Sequence, residues 1–367
     1  MEKHLYQKLA PYGISRRDFL KYCGSLAAML GLSELYIPQI AAALEEAAQR
    51  PPVVYLSMSL CTGCTSQMAN SFNPSVPELV LDILSFDYWD TVMAPAGKEA
   101  EKSLRDSITQ NKGKYIACVE GSIPTGEDGN YLTIGGRTGA EIVKEVCTDA
   151  AAIIAIGSCG SFGGIPAAAP NPTKAKGVME FLPELKDKVV NISTCPANYM
   201  WVVGTIVNYL LLGKLPELDD LNRPKPFFGE LIHNNCERRG HFEAGEFVEE
   251  FGSEEEAKGY CLYKMGCKGP ETHAACPVTR WNNKINWCVH AGAPCMGCAE
   301  PDFWDKFTPL YERLPGVRLP GGLGNVSADT IGAALGIVTA AGLGVHLVGQ
   351  IATGRLGKGG PSEGGDK

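Results

Sequence analysis

The chain has 367 residues, 45% of them hydrophobic and 20% charged, with a net charge of −8. That length can hold two domains with proper cores, and an acidic balance without a basic stripe excludes a nucleic-acid binder. Fourteen cysteines are too many for an ordinary soluble enzyme, in a chain too long for a disulfide-stapled miniprotein, so metal is the better expectation.

The N-terminus reads as an address. Ser15-Arg16-Arg17-Asp18-Phe19-Leu20-Lys21 matches a twin-arginine signal, a moderately apolar run continues to about Ile40, and Ala41-Ala42-Ala43 suits cleavage after small residues. Residues 1–43 are therefore expected to be a signal peptide; the competing reading is the basic start of an amphipathic helix. Twin-arginine export carries folded proteins, so cysteines can take up metal in the reducing cytoplasm. Disulfides lose ground accordingly.

From Pro51 to about Leu215 strand and helix patterns alternate. Apolar strands are predicted at Val53–Met58, Lys114–Val119, Ala151–Ile156 and Val189–Ser193, with helices around Glu78–Leu84, Lys98–Thr109 and Gly139–Ala150. This alternation predicts an α/β fold, an open flavodoxin-like parallel sheet with helices on both faces. Cys61-Thr62-Gly63-Cys64 follows the first strand, Gly157-Ser158-Cys159-Gly160 the third and Thr194-Cys195-Pro196 the fourth. Ligands of open α/β sheets bind beyond the carboxyl ends of the strands, so Cys61, Cys64, Cys159 and Cys195 should form one all-thiolate site. Gly63, Gly157, Gly160, Gly163 and Gly164 would let backbone approach a bulky inorganic group. Cys61 and Cys64 alone could be a thioredoxin-type pair, which the other strand-end thiols disfavour. Gly157 to Gly164 resembles a phosphate loop but lacks its Gly-Lys-Ser/Thr ending. Cys118 and Cys147 read as small core residues, and Cys23 lies in the leader.

Over 216–320 the periodicity fades into loops rich in Gly, Pro and aromatics, so inorganic centres are expected to organise this segment. Glu243–Phe251 and Glu254–Lys258 look like short acidic surface helices. Between His233 and Cys298 the donors fall into two sets of four: His233, Cys236, Cys261 and Cys267; then Cys276, Cys288, Cys295 and Cys298. Soft thiolate sets suit iron–sulfur clusters or zinc. His241, His273 and His290 lack a paired spacing and are left out.

Ile331 to Ala352 is uncharged and long enough for one membrane crossing, so a transmembrane anchor is expected at 329–353, with 354–367 as a tail. Arg355 and Lys358 place that tail in the cytoplasm. Gly332, Gly336, Ala340 and Gly344 recur every four positions, which favours packing against another membrane helix. A buried soluble helix is the alternative. His346 is given no ligand role.

Setting aside Cys23, Cys118 and Cys147 leaves eleven cysteines, and His233 completes three four-donor sites. At this point the chain resembles the small, electron-transferring subunit of membrane-bound nickel–iron hydrogenases. The matching motifs are Cys61-Thr62-Gly63-Cys64; Gly157-Ser158-Cys159 with Gly163-Gly164-Ile165-Pro166; and Cys195-Pro196. To these add His233-Asn234-Asn235-Cys236 running on to Gly245, Gly259-Tyr260-Cys261 to Pro270, and Pro294-Cys295-Met296-Gly297-Cys298 leading to Asp302-Phe303-Trp304-Asp305.

The resemblance implies a respiratory uptake hydrogenase subunit with three clusters. Cys61, Cys64, Cys159 and Cys195 would hold a proximal 4Fe–4S cluster beside a Ni–Fe centre confined to the partner large subunit. Cys276, Cys295 and Cys298 would hold a medial cluster, and His233, Cys236, Cys261 and Cys267 a distal 4Fe–4S cluster. Implied partners are the large subunit, in a heterodimer that can itself pair, and a membrane cytochrome b or other quinone-linked subunit. The expected location is the periplasmic face of the cytoplasmic membrane. The chain departs from the family pattern in three places. Cys288 stands where many relatives have proline, predicting a medial 4Fe–4S rather than 3Fe–4S cluster. Gly63 and Gly164 replace the extra cysteines of oxygen-tolerant relatives, predicting an ordinary cubane and oxygen sensitivity. Leu60 and Ser66 stand where relatives often flank the first cysteine pair with glutamates.

Overall fold

A computed structural model describes residues 52–71, 84–313 and 328–353, with isolated positions between 17 and 41 and at 75–76, 317–318 and 325–326. Five strands form one parallel sheet: β1 (Pro52–Ser57), β2 (Ser85–Trp89), β3 (Ile116–Glu120), β4 (Ala152–Ile156) and β5 (Val189–Ile192). Their order is β2-β1-β3-β4-β5, the doubly wound arrangement with its crevice at the carboxyl ends. Register decides what happens there. Ser57 lies opposite Glu120, Glu120 opposite Ile156 and Ile156 opposite Ile192. Four strands thus end in line, and whatever follows them emerges at one edge.

The central strands β3 and β4 are buried at every position, as expected where both faces of a parallel sheet are covered. The side-chain period of two sorts residues between two cores. Val54, Leu56, Ala117, Val119, Ile153 and Ala155 pack with Leu104 of α2 (Lys98–Gln110) and with Ile142, Val143 and Val146 of α3 (Gly139–Thr148). A capping box starts α3: the Thr138 hydroxyl accepts from the Glu141 N–H at 3.2 Å and the Glu141 carboxylate accepts from the Thr138 N–H at 2.9 Å. On the opposite face Val53, Tyr55, Ile154, Ile156 and Ile192 share a core with Phe227, Phe228, Trp287 and Val289 from the loop-rich half. Trp201 is fully buried, contacts Phe227, Phe228 and Trp281, and donates to the Thr279 hydroxyl at 3.1 Å. Each such aromatic pair adds about 0.5–1.5 kcal/mol beyond its buried area. Cys118 and Cys147 are buried among apolar neighbours.

One strand was not expected, and one expected helix is corrected. Ser85–Trp89 is a strand, made at the sheet edge where Asp87 accepts from the Ser85 and Ser107 hydroxyls at 2.7 and 3.0 Å. Of the helix expected around Glu78–Leu84, residues 78–83 lie outside the described residues. The helix near Glu243 spans Arg239–Glu243 instead of starting there; it stops before Gly245, where φ is 75°, and Phe247 then bridges to Cys261. Glu254–Ala257 is helical as expected.

Contacts divide the chain into Met1–Glu312 and Arg313–Lys367. The second unit carries a helix at Ala328–Ala352, in which Thr330–Ala352 is long and apolar enough to cross a membrane and is not buried. In the leader, Ser15, Arg16, Asp18, Phe19, Ala42 and Ala43 lie outside the described residues, as do residues 354–367; Cys23, Ala27 and Ile40 are buried.

Candidate functional site

The strand ends bring the first four thiols together. Cys61 follows β1, Cys64 lies in α1 (Gly63–Ala69), Cys159 lies in α4 (Gly157–Phe162) and Cys195 follows β5. Burial raises the Cys64 thiol well above its usual value, and the charges of Glu120, Cys195 and Cys159 add to this. Burial likewise pushes Cys159 up to about 12, with Cys195 and Cys61 contributing. Backbone comes close here: a Cβ at Gly157 would meet Cys64 Sγ at 2.7 Å, and one at Gly164 would meet Cys159 Sγ at 2.4 Å, both at positive φ. Only glycine fits these two positions.

An outer group consists of His233, Cys236, Cys261 and Cys267, which line one pocket. Burial pushes Cys236 up to about 11 and lowers His233. The Phe242 ring stands edge-on to the His233 imidazole at 4.6 Å. A middle group consists of Cys276, Cys288, Cys295 and Cys298. Burial dominates the rise of the Cys276 thiol, and the charges of Cys298, Cys295 and Cys288 follow. Cys288 and Cys61 are the exposed members of their groups.

Peptide N–H groups point at these sulfurs repeatedly. Cys236, Cys261, Cys267 and Cys295 each receive one from the residue two positions on: Arg238, Tyr263, Gly269 and Gly297. Ala197 N–H donates to Cys64 Sγ at 3.2 Å. Two further bonds join the groups in a row. The Cys195 N–H of the sheet-edge group donates to the Cys298 sulfur, and the Cys295 N–H of the middle group donates to the Cys267 sulfur at 3.3 Å.

The donor chemistry fits iron–sulfur clusters. Amides aimed at sulfur stabilise thiolate and are one of the levers on cluster potential. All fourteen cysteines are free, which removes the disulfide reading. Among the described residues no three His, Cys, Asp or Glu side chains close on one point as a single ion requires. His241, His273 and His290 are each held by a glutamate, at 2.6, 3.3 and 2.8 Å from Glu246, Glu300 and Glu237.

Three charged residues near the donors escaped the sequence reading. Glu120, at the end of β3, is buried and accepts from Tyr55 at 2.6 Å and from the Thr65 hydroxyl at 2.5 Å. A carboxylate therefore does stand beside Cys64, supplied by a neighbouring strand rather than by residues flanking the first cysteine pair. Its place after an apolar strand, level with the other strand ends, was the available signal. Arg223 is buried, bonds Asp219 at 2.8 Å and Glu300 at 3.2 Å, and donates to Ala299 O at 3.0 Å. Ser193 donates to the same carbonyl at 2.8 Å. These bonds tie the loop of Cys295 and Cys298 to the sheet. Lys268 is the third, and nothing in the sequence marks it out.

Family models match two segments. One, described as NADH ubiquinone oxidoreductase, 20 Kd subunit, covers residues 61–209; the other, the C-terminal model of the NiFe/NiFeSe hydrogenase small subunit, covers residues 228–311. The periplasmic [NiFe] hydrogenase small subunit 1 of Nitratidesulfovibrio vulgaris is 46% identical over 306 residues, covering 83% of this chain and 96% of that relative. The quinone-reactive Ni/Fe-hydrogenase small chain of Wolinella succinogenes is 46% identical over 342 residues, covering 92% and 96%. Among solved structures, the reduced, active Ni-Fe-Se hydrogenase of Desulfomicrobium baculatum superposes with a TM-score of 0.68 at 38% identity, covering 72% of this chain and 99% of that one. The fold and the donor groups define an electron-transfer component of an oxidoreductase. The chain belongs to the small-subunit family of the nickel–iron hydrogenases, which carry iron–sulfur clusters and pair with a large subunit.

Proposed function

We propose that this chain is the relay of a respiratory uptake nickel–iron hydrogenase, passing electrons from hydrogen oxidised on the large subunit to a quinone-linked membrane acceptor such as a cytochrome b. The observation that carries the reading is the row of three four-donor groups joined by N–H···S bonds. Cys61, Cys64, Cys159 and Cys195 would hold the proximal 4Fe–4S cluster, Cys276, Cys288, Cys295 and Cys298 a medial one, and His233, Cys236, Cys261 and Cys267 the distal one. Bound clusters would supply one-electron redox chemistry. The chain's own part is to hold the donors, shield them from water by burial, and aim amides at sulfur. An imidazole in place of a thiolate removes negative charge from the outer site, which raises its potential relative to an all-thiolate one.

The anchor is assigned to 329–353 and export to the twin-arginine leader, which places the protein on the periplasmic face of the cytoplasmic membrane. The names of the periplasmic and quinone-reactive relatives support that location and acceptor, as does the apolar helix.

Metal and sulfide analysis with low-temperature EPR of the purified complex tests the reading. Nickel co-purification, a brown colour that bleaches on reduction and three distinct cluster signals are expected. Pale material without acid-labile sulfide would overturn it. A strong three-iron signal at full occupancy in the oxidised protein would show that Cys288 is not a ligand. Oxygen sensitivity follows from Gly63 and Gly164, and hydrogen uptake sustained in air would contradict it.

A further inference from the structure

Lys268 is the one lysine among the described residues whose side chain is buried, at 2% exposure. It directly follows Cys267 of the outer group. Its N–H donates to Cys295 O at 2.7 Å, while the Cys295 N–H donates to Cys267 Sγ at 3.3 Å, so its backbone is fastened between the outer and middle groups. Its ammonium turns inward to the carbonyls of Gly266, at 2.8 Å, and Glu312. Among the described residues it forms no ion pair with a carboxylate. A buried cation without a counter-ion is costly and persists where other negative charge offsets the cost. Burial lowers the Lys268 ammonium from its usual value, and negative charge on Cys267, then on Glu271, Cys295 and Glu312, works against that fall. Glu271 and Glu312 are exposed, so water screens their carboxylates, which leaves the sulfurs of two donor groups as the buried negative charge.

We infer that Lys268 is an electrostatic control residue, a cation set between the outer and middle centres that raises the reduction potential of both. This rests on the proposed reading that clusters occupy these groups. Each electron added to a cluster adds negative charge, and a cation nearby in a poorly polarisable interior favours the reduced form. The middle group has most need of it, because Cys288 brings a fourth thiolate there.

The test is an EPR-monitored redox titration of the holoenzyme, wild type beside Lys268→Met and Lys268→Arg. Lys268→Met should move the middle and outer midpoints to lower potential and leave the sheet-edge midpoint in place, while Lys268→Arg should titrate like wild type. Unmoved middle and outer midpoints in Lys268→Met, or an equal shift of all three, would overturn the inference. If Lys268→Met loses iron, Lys268→Gln, which keeps a donor for the two carbonyls, takes its place. Cluster loss in both neutral variants would show a structural lysine and likewise overturn it. Iron and sulfide counts on the wild type come first. Too few clusters there would refute the underlying reading, a result distinct from full clusters with unshifted midpoints.

Discussion

The two halves of the first unit hold their candidate metal donors by different means. In the sheet half, Cys61, Cys64, Cys159 and Cys195 are delivered by strands whose ends the register fixes in line. In the loop-rich half, Cys236, Cys261, Cys267 and Cys295 each sit in a short turn closed by an amide two residues on. A site at a sheet edge inherits its geometry from hydrogen bonds made elsewhere. A site built of turns has little regular structure behind it, and a metal bound there would help hold it together.

Stripping the iron should separate the halves most. Amide exchange in apo protein should quicken by at least ~100-fold across 233–298, while β3 and β4 stay protected. Equal loss in both halves, followed by exchange mass spectrometry, would break the comparison. Next in size is Arg223→Met, which leaves Glu300 buried without its cation. Chemical denaturation should show a loss of about 3–5 kcal/mol, together with weakened attachment of the Cys295 loop. Gly164→Ala sharpens the comparison from the sheet side. Its Cβ would fall 2.4 Å from Cys159 Sγ, so the sheet-edge cluster signal should drop ~10–100-fold in occupancy while the other two survive. The smallest effect concerns pH. Burial pushes Cys147, a core thiol outside the donor groups, up to about 12. The unfolded chain ionises it near ~8.5, so its contribution to stability is full below that pH and is lost as pH rises toward 12. Unfolding midpoints measured at pH 8 and 10.5 should differ by about 1–3 kcal/mol, and Cys147→Ala should flatten the difference.

Four of the five strands, and the cysteines that the structure draws into the candidate groups, were legible, because apolar runs and cysteine spacing are local patterns. The strand β2 was not: Ser85-Phe86-Asp87-Tyr88-Trp89 carries an aspartate in its middle, and its place in the sheet depends on Ser107, which lies in α2. Glu120 and Lys268 were missed for a related reason. A glutamate after a strand and a lysine after a cysteine acquire meaning only when Thr65, or Cys295 and Glu312, arrive from distant segments. Spacing reveals which side chains could share a ligand, whereas the charges that tune that ligand come from tertiary structure.

The groups do not follow chain order. The sheet-edge donors are complete at Cys195 and the outer ones at Cys267, while the middle group, which the N–H···S bonds place between them, waits for Cys298. On the proposed reading, a nascent chain therefore owns both terminals of its circuit before the segment that would connect them, and the last gap would close only when translation has passed the final cysteine.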